Sequence, residues 1–329
     1  MKWIKNIGVI FAIVLLLAAT WLYSRPTMEE VGIPYAPAAP IDSSAITVKW
    51  FGISTLLIDD GETQILTDGF FSRPSLFDLA LKRPIEPELP VIKQVIDTHR
   101  IDRLAVIIPV HSHYDHAMDS GEVAKLTGAS LLGSQSTAYA GRSSDLSSDK
   151  ITVAETGKPY TYGQFRVTLF DSKHAPLPSN AGIDGKIEEV FHTPAPYTAW
   201  QLGKAYTVLV EHPKGSFLVQ GSAGFIPGAL KGLEVDAVFL GTGGLSMLPH
   251  EYRQSYIYET VTLTKPKTVY TIHHDTLLGP LGNVEQNPLI AEYDELRAFE
   301  MTQLISPARF EQLRYAEAVE IIPHQVPSE

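Results

Sequence analysis

His111, His113, Asp115 and His116 fall within six residues, in the run His111-Ser112-His113-Tyr114-Asp115-His116. Three imidazoles and a carboxylate at this density point to metal ligation; a His-rich surface loop is the plainer alternative, but chance seldom supplies four ligands together. In extended backbone side chains alternate, so His111 and His113 face the same way and can grip one ion. Once the chain turns, Asp115 and His116 reach a neighbouring position. Neutral imidazole with carboxylate suits zinc and also admits manganese or iron. Two such positions roughly 3.5–4 Å apart would make a two-metal hydrolytic site.

These ligands need an element to hold them. The run follows Leu104-Ala105-Val106-Ile107-Ile108-Pro109-Val110, an apolar stretch that reads as a buried strand with its ligands at a sheet rim. Upstream, residues 47–50, 55–58 and 64–67 read as strands broken by Gly52 and Gly61, followed by a Pro-rich excursion from Phe70 to Pro90. Helices are expected at 119–127 and around 135–141. Val167-Thr168-Leu169-Phe170 reads as a strand that delivers His174 to a loop. Residues 175–203, with Pro176, Pro178, Pro194, Pro196, Phe191, His192, Tyr197 and Trp200, read as an insertion beside the site, either a substrate wall or an ordinary packed crossover. His192 there is expected to be a surface or packing histidine. Residues 206–210 and 216–219 form a hairpin, with His212 exposed in its turn. A strand at 235–240 leads to Gly241-Thr242-Gly243-Gly244, which reads as a tight turn before a phosphate cradle. A helix at 252–264, a strand at 269–272 ending at His273, a helix at 286–304 and a strand at 319–322 complete the body. His274 is expected to point away from any metal and His250 toward solvent. Strands alternating with helices fit an α/β class.

At this point the chain resembles the metallo-β-lactamase fold superfamily, whose signature is His-x-His-x-Asp-His. Trp50-Phe51-Gly52 with Leu66-Thr67-Asp68 is similar to the opening hairpins and early aspartate of the branch holding N-acyl phosphatidylethanolamine phospholipase D and ascorbate-phosphate lactonase-like enzymes. His174, in Asp171-Ser172-Lys173-His174, suits the third histidine of the first metal. Ile272-His273-His274-Asp275-Thr276 resembles the late segment whose first histidine binds the second metal. The resemblance spans most of residues 46–280. It implies a four-layer αβ/βα sandwich with metals at one edge. His111, His113 and His174 would hold metal one; Asp115, His116 and His273 would help to hold metal two. One position departs from the pattern. Relatives carry Gly-Asp where this chain has Leu218-Val219-Gln220-Gly221-Ser222-Ala223-Gly224, so Ser222 stands where a bridging aspartate would be. A neutral hydroxyl replaces a carboxylate poorly, and two cations then share one fewer negative charge. A single ion on three histidines remains sufficient, with Asp115 free to orient a water or take its proton and Ser222 free to hydrogen-bond the nucleophile.

Composition narrows the function. The 329 residues carry a net charge of −11 at pH 7, which argues against a nucleic-acid surface. There is no cysteine, hence no disulfide, thiolate nucleophile or cysteine-bound zinc. The chain opens on Met1-Lys2-Trp3-Ile4-Lys5-Asn6, then runs uncharged and largely apolar from Ile7 to Tyr23. That predicts a transmembrane anchor, or a cleaved signal peptide for which Ala18-x-Thr20 is a poor site. Lys2 and Lys5 would keep the N-terminus in the cytoplasm and place the body outside it, in the periplasm if the cell has one, or secreted if the segment is cleaved. Residues 24–45, with Pro26, Pro34, Pro37 and Pro40, read as a linker, and the catalytic body as 46–325.

The sequence therefore leads to a metal-dependent hydrolase using metal-bound hydroxide on an ester, lactone or phosphodiester, with a small-molecule or lipid-like substrate. The cofactor would be zinc, one or two ions, with manganese or iron as alternatives. Asp115 and Ser222 are the candidate catalytic residues. The competing reading, motivated by Ser222, is a metal-binding envelope protein without turnover. A serine hydrolase fits poorly, because Gly221-Ser222-Ala223-Gly224 lacks the spacing of a nucleophile elbow.

Overall fold

A computed structural model describes residues 2–23, 32–40, 44–176, 182–275, 281–282 and 291–321. Pro26, Pro178, Thr276 and the stretches 286–290 and 322–325 of the sequence reading lie outside the described residues.

Two seven-stranded sheets form the body. The first runs, edge to edge, Ala318–Ile321, Ile46–Trp50, Leu56–Asp59, Gln64–Thr67, Leu104–Ile108, Ser130–Gly133 and Ile151–Val153. The second runs Arg309–Glu311, Thr268–Ile272, Ala237–Gly241, Gly215–Gln220, Tyr206–His212, Phe165–Asp171 and Pro159–Tyr162. Side chains in a strand alternate between faces, and that period sorts the core into layers. Ile65, Val106, Ile108 and Leu132 of the first sheet meet Val208, Val219, Phe239 and Tyr270 of the second. Their strand neighbours point the other way. Leu66, Ile107 and Leu131 pack on Ile92 and Val95 of helix Leu89–His99 and on Val123 of helix Ser120–Thr127. Leu218, Val238 and Val269 pack on Tyr256 of helix His250–Ile257 and on Ala298 of helix Ala291–Ile305. The result is helix, sheet, sheet, helix, as expected.

The first helix, Lys2–Tyr23, covers the predicted span, but its side chains are described only over 6–20. Among the described residues no helix is long and apolar enough to cross a membrane, so the anchor and the signal peptide are left without structural support. The linker 24–45 is not free over its whole length. Ile33 is fully buried, Tyr35 bridges to Gln312, and Ala39 N–H donates to Ala318 O at 2.6 Å. An apolar Ile33 and the edge carbonyls of Gln312 and Ala318, which accept from Ala36 and Ala39, explain that docking. His212 corrects a second expectation. It is buried in the hairpin, on Phe165, with Nε2 3.2 Å from Asp60 Oδ2. The predicted helix at 252–264 begins at His250 and closes in a π turn at Tyr258–Thr262.

The candidate metal centre

Five strands of the two sheets end at one edge, and each delivers a polar residue there. Gln64–Thr67 ends at Asp68, Leu104–Ile108 leads to His111, Phe165–Asp171 to His174, Gly215–Gln220 to Ser222, and Thr268–Ile272 to His273. Strand ends are rigid, yet they free the backbone to turn its side chains toward a shared point.

The predicted ligands converge into two groups, His111 with His113 and His174, and Asp115 with His116 and His273; within each group the candidate donor atoms lie within 4.8 Å of one another. His111 Nε2 is 3.1 Å from His113 Nδ1, and His116 Nε2 is 3.3 Å from His273 Nε2. Asp115 Oδ2 lies 3.5 Å from His116 Nε2 and 3.6 Å from His273 Nε2. The groups adjoin, with the His111 and His116 rings 3.8 Å apart.

The outer ring nitrogens decide what faces inward. His113 Nε2–H donates to Ile183 O at 3.1 Å, His174 Nδ1–H to Ala175 O at 2.8 Å, and His116 Nδ1–H to Asp68 Oδ2 at 2.8 Å. Assigned from these bonds, His113 Nδ1, His174 Nε2 and His116 Nε2 turn lone pairs into the site. Lone pairs facing each other repel unless a cation sits among them. Nitrogens held about 2.0–2.1 Å from one tetrahedral zinc are about 3.3–3.4 Å apart, close to the spacings found here. The residues therefore fit a metal.

Protonation agrees. Burial takes His111 well below its ordinary value, helped by His116 and His113. Burial likewise lowers His113 to about 3 and His174 to about 4. These three are neutral donors at pH 7. Burial pushes the Asp115 carboxyl up, but His116 and His273 outweigh it and its pKa is lowered. The His116 imidazole is lowered by burial and raised more strongly by Asp68 and Asp115.

Ser222 belongs to neither group. Its hydroxyl oxygen accepts the Ala175 N–H at 3.0 Å, beside His174. Among the described residues no carboxylate is shared between the two groups. His274 stacks on Trp50 at 5.0 Å, away from the ligands, and His192 and His250 are exposed. Gly243 is the turn that lets His273 in: a Cβ there would meet His273 O at 2.6 Å. The segment 182–203 both packs and lines. Trp200 is buried against Phe191, while Asp184, Leu202 and Gly203 border a cavity of about 350 Å³ with Lys173, His174 and Lys204.

Three supporting residues were not assigned a role from sequence. Asp68, noted only as an early aspartate, accepts from His116 and from Val110 N–H at 2.9 Å. Ser54 Oγ donates to Asp68 at 2.6 Å and lies 3.1 Å from His116 Nδ1. Asp119 accepts from the backbone of Phe71 and Ser72, pinning the excursion after Asp68. Ile53, Asp68 and His273 all hold left-handed backbone, φ 50°, 53° and 58°. Such conformations are costly outside glycine and concentrate at functional sites.

Comparison with known proteins agrees with this fold. The chain is 25% identical over 248 residues to a UPF0173 metal-dependent hydrolase of Pyrobaculum islandicum, covering 73% of this chain and 88% of that one. Igni18, a metallo hydrolase of Ignicoccus hospitalis, superposes with a TM-score of 0.52 at 13% identity, over 84% of this chain and 97% of that one. The metallo-β-lactamase fold protein YhfI of Bacillus subtilis gives 0.51 at 12% identity, over 84% and 100%. No protein-family model matches the chain.

Proposed function

We infer that this chain, a member of the metallo-β-lactamase fold superfamily, is a metal-dependent hydrolase acting on an ester, lactone or phosphodiester bond. The observation that carries the reading is the pair of adjoining groups, His111/His113/His174 and Asp115/His116/His273, with their donor atoms turned inward. Similarity to a metal-dependent hydrolase supports it. Zinc fits the imidazole-rich set, and manganese or iron would also be accepted. A divalent cation held there would lower the pKa of water and polarise the oxygen that gains charge.

The chain's own groups do the rest. Asp115 is buried and ionised, so its Oδ2 can take a proton from water at the site. Asp68 holds the His116 proton on Nδ1. The Ser222 oxygen accepts from Ala175, which leaves its own O–H free to donate toward substrate or water. Lys173, Lys204 and Asp184 border the cavity beside His174, and Lys204 is paired with Asp171 at 2.6 Å, so the rim offers a substrate groups of both signs. The net charge of −11 argues against nucleic acid. An anchor on the first helix with the body outside the cytoplasm is proposed: nine large apolar side chains from Ile7 to Leu17 are at least half exposed, and Lys2 and Lys5 precede them.

The test is metal analysis plus a hydrolysis screen over phosphodiesters, lactones and esters. Wild-type protein is expected to carry one or two ions and turn over at least one class. His113→Ala should lose more than the roughly 10–100-fold that removing an outer partner of a metal ligand costs. Equal turnover by the two sinks the enzyme reading. Bound metal with no turnover across the screen would favour the second reading, a non-catalytic metal-binding envelope protein, which the missing shared carboxylate motivates.

A further inference from the structure

We propose that Asp275 is a positioning residue for His273 and so sets the affinity of the Asp115/His116/His273 group for its ion. The proposal rests on reading that group as a metal site. Four contacts carry it. The Ile53 N–H donates to Asp275 Oδ1 at 2.7 Å. The His273 N–H donates to Ile53 O at 2.8 Å. The Trp50 indole N–H donates to the same oxygen at 3.0 Å, and the Trp50 ring stacks on His274. Residues 273 and 275 thus grip both sides of residue 53, and Trp50 braces the grip.

The grip holds backbone that would otherwise relax. Ile53 and His273 both sit in left-handed conformation, which is rare for a β-branched residue and persists only where the surroundings over-determine it. His273 cannot retreat toward the Gly241–Gly244 turn either, because its ring is seated against Gly243.

Asp275 is an expensive residue to bury for fold alone. Its Oδ2 is buried without a hydrogen-bond partner, and the nearest cation, Arg73, is 4.0 Å away. Arg73 directs its Nη donors to the carbonyls of Phe51, Phe70 and Ser72, and its buried Nε has no partner. A buried carboxylate with a free oxygen and a loose ion pair is poor stabilisation. Its hydrogen bond goes instead to the amide that fixes a ligand-bearing loop. Outer partners of this kind govern how tightly a ligand grips its ion.

The experiment titrates zinc into chelator-stripped full-length protein, wild type, Asp275→Ala and Asp275→Asn, with far-UV circular dichroism as a folding control. Asp275→Ala should weaken one zinc equivalent by about 10–100-fold and leave the other unchanged. Asp275→Asn, whose amide oxygen can still accept the Ile53 N–H, should stay close to wild type. A second readout needs no metal: hydrogen exchange in peptides containing Ile53 and His273 should quicken in Asp275→Ala alone. If wild type takes up none of zinc, manganese or iron, the hydrolase reading fails, while the exchange comparison still decides whether Asp275 positions His273. A folded Asp275→Ala that binds zinc as wild type does, or that keeps both segments protected, overturns the proposal.

Discussion

Asp68 uses two oxygens to serve three donors: the Val110 amide on one, the Ser54 hydroxyl and His116 Nδ1 on the other. Removing it does two separable things. The buried Val110 N–H loses its partner, which costs about 1–3 kcal/mol. His116 loses the carboxylate that fixes its tautomer, which weakens metal binding about 10–100-fold. Asp68→Ala should therefore show both a lower melting temperature and a weaker zinc equivalent in calorimetry; full retention of zinc affinity would mean that Ser54 alone orients the ring. The six candidate ligands that the fold gathers were legible because the motif packs four of them together and the resemblance supplies His174 and His273. Their supports were not, since Ser54 lies 62 residues from His116 and Ile53 lies 222 residues from Asp275. No local pattern encodes such pairs.

Elements succeed or fail by the same physics. Strands such as Gln64–Thr67 and Thr268–Ile272, buried at every position, were readable as short β-rich runs, because the fold covers both faces of the sheet. Helix Leu89–His99 was missed because Pro90 reads as an interruption, whereas it occupies the first turn, where proline is tolerated. The edge strand Pro159–Tyr162 alternates exposed and half-buried positions without an apolar run, so nothing marked it. The loops between elements carry their own constraints. A Cβ on Gly224 would meet Lys173 O at 2.0 Å and His174 C at 2.5 Å, both of them backbone that cannot swing aside. Gly224→Ala should cost about 1–3 kcal/mol through overpacking and displace His174. Metal titration of the folded variant is then expected to show a weakened His111/His113/His174 group. Unchanged stability and unchanged zinc binding would show that the His174 loop has slack the packing does not suggest.

Across the whole molecule, alternation alone could not show that two sheets stack face to face; it predicts buried strands and helices, not how many layers they make. The family resemblance supplied the layering, and the interleaving of Phe239 and Tyr270 with Ile65 and Val106 bears it out. The part of the chain that this core does not explain is the N-terminal helix. Its apolar side chains from Ile7 to Leu17 stay exposed while the body buries comparable residues completely. Each such side chain gains about 1.5–3 kcal/mol on leaving water, so a helix apolar on all faces is unfavourable in solution. If a lipid phase takes up that surface, the full-length chain pellets with membranes, resists a high-salt wash, and is released by detergent. Salt resistance matters because attraction between Lys2 or Lys5 and anionic lipid is screened within a Debye length, about 3 Å at 1 M, whereas burial of apolar surface is not. Recovery of the full-length protein in the salt wash would assign the association to charge, and recovery in the soluble fraction from the start would remove the membrane from the reading altogether.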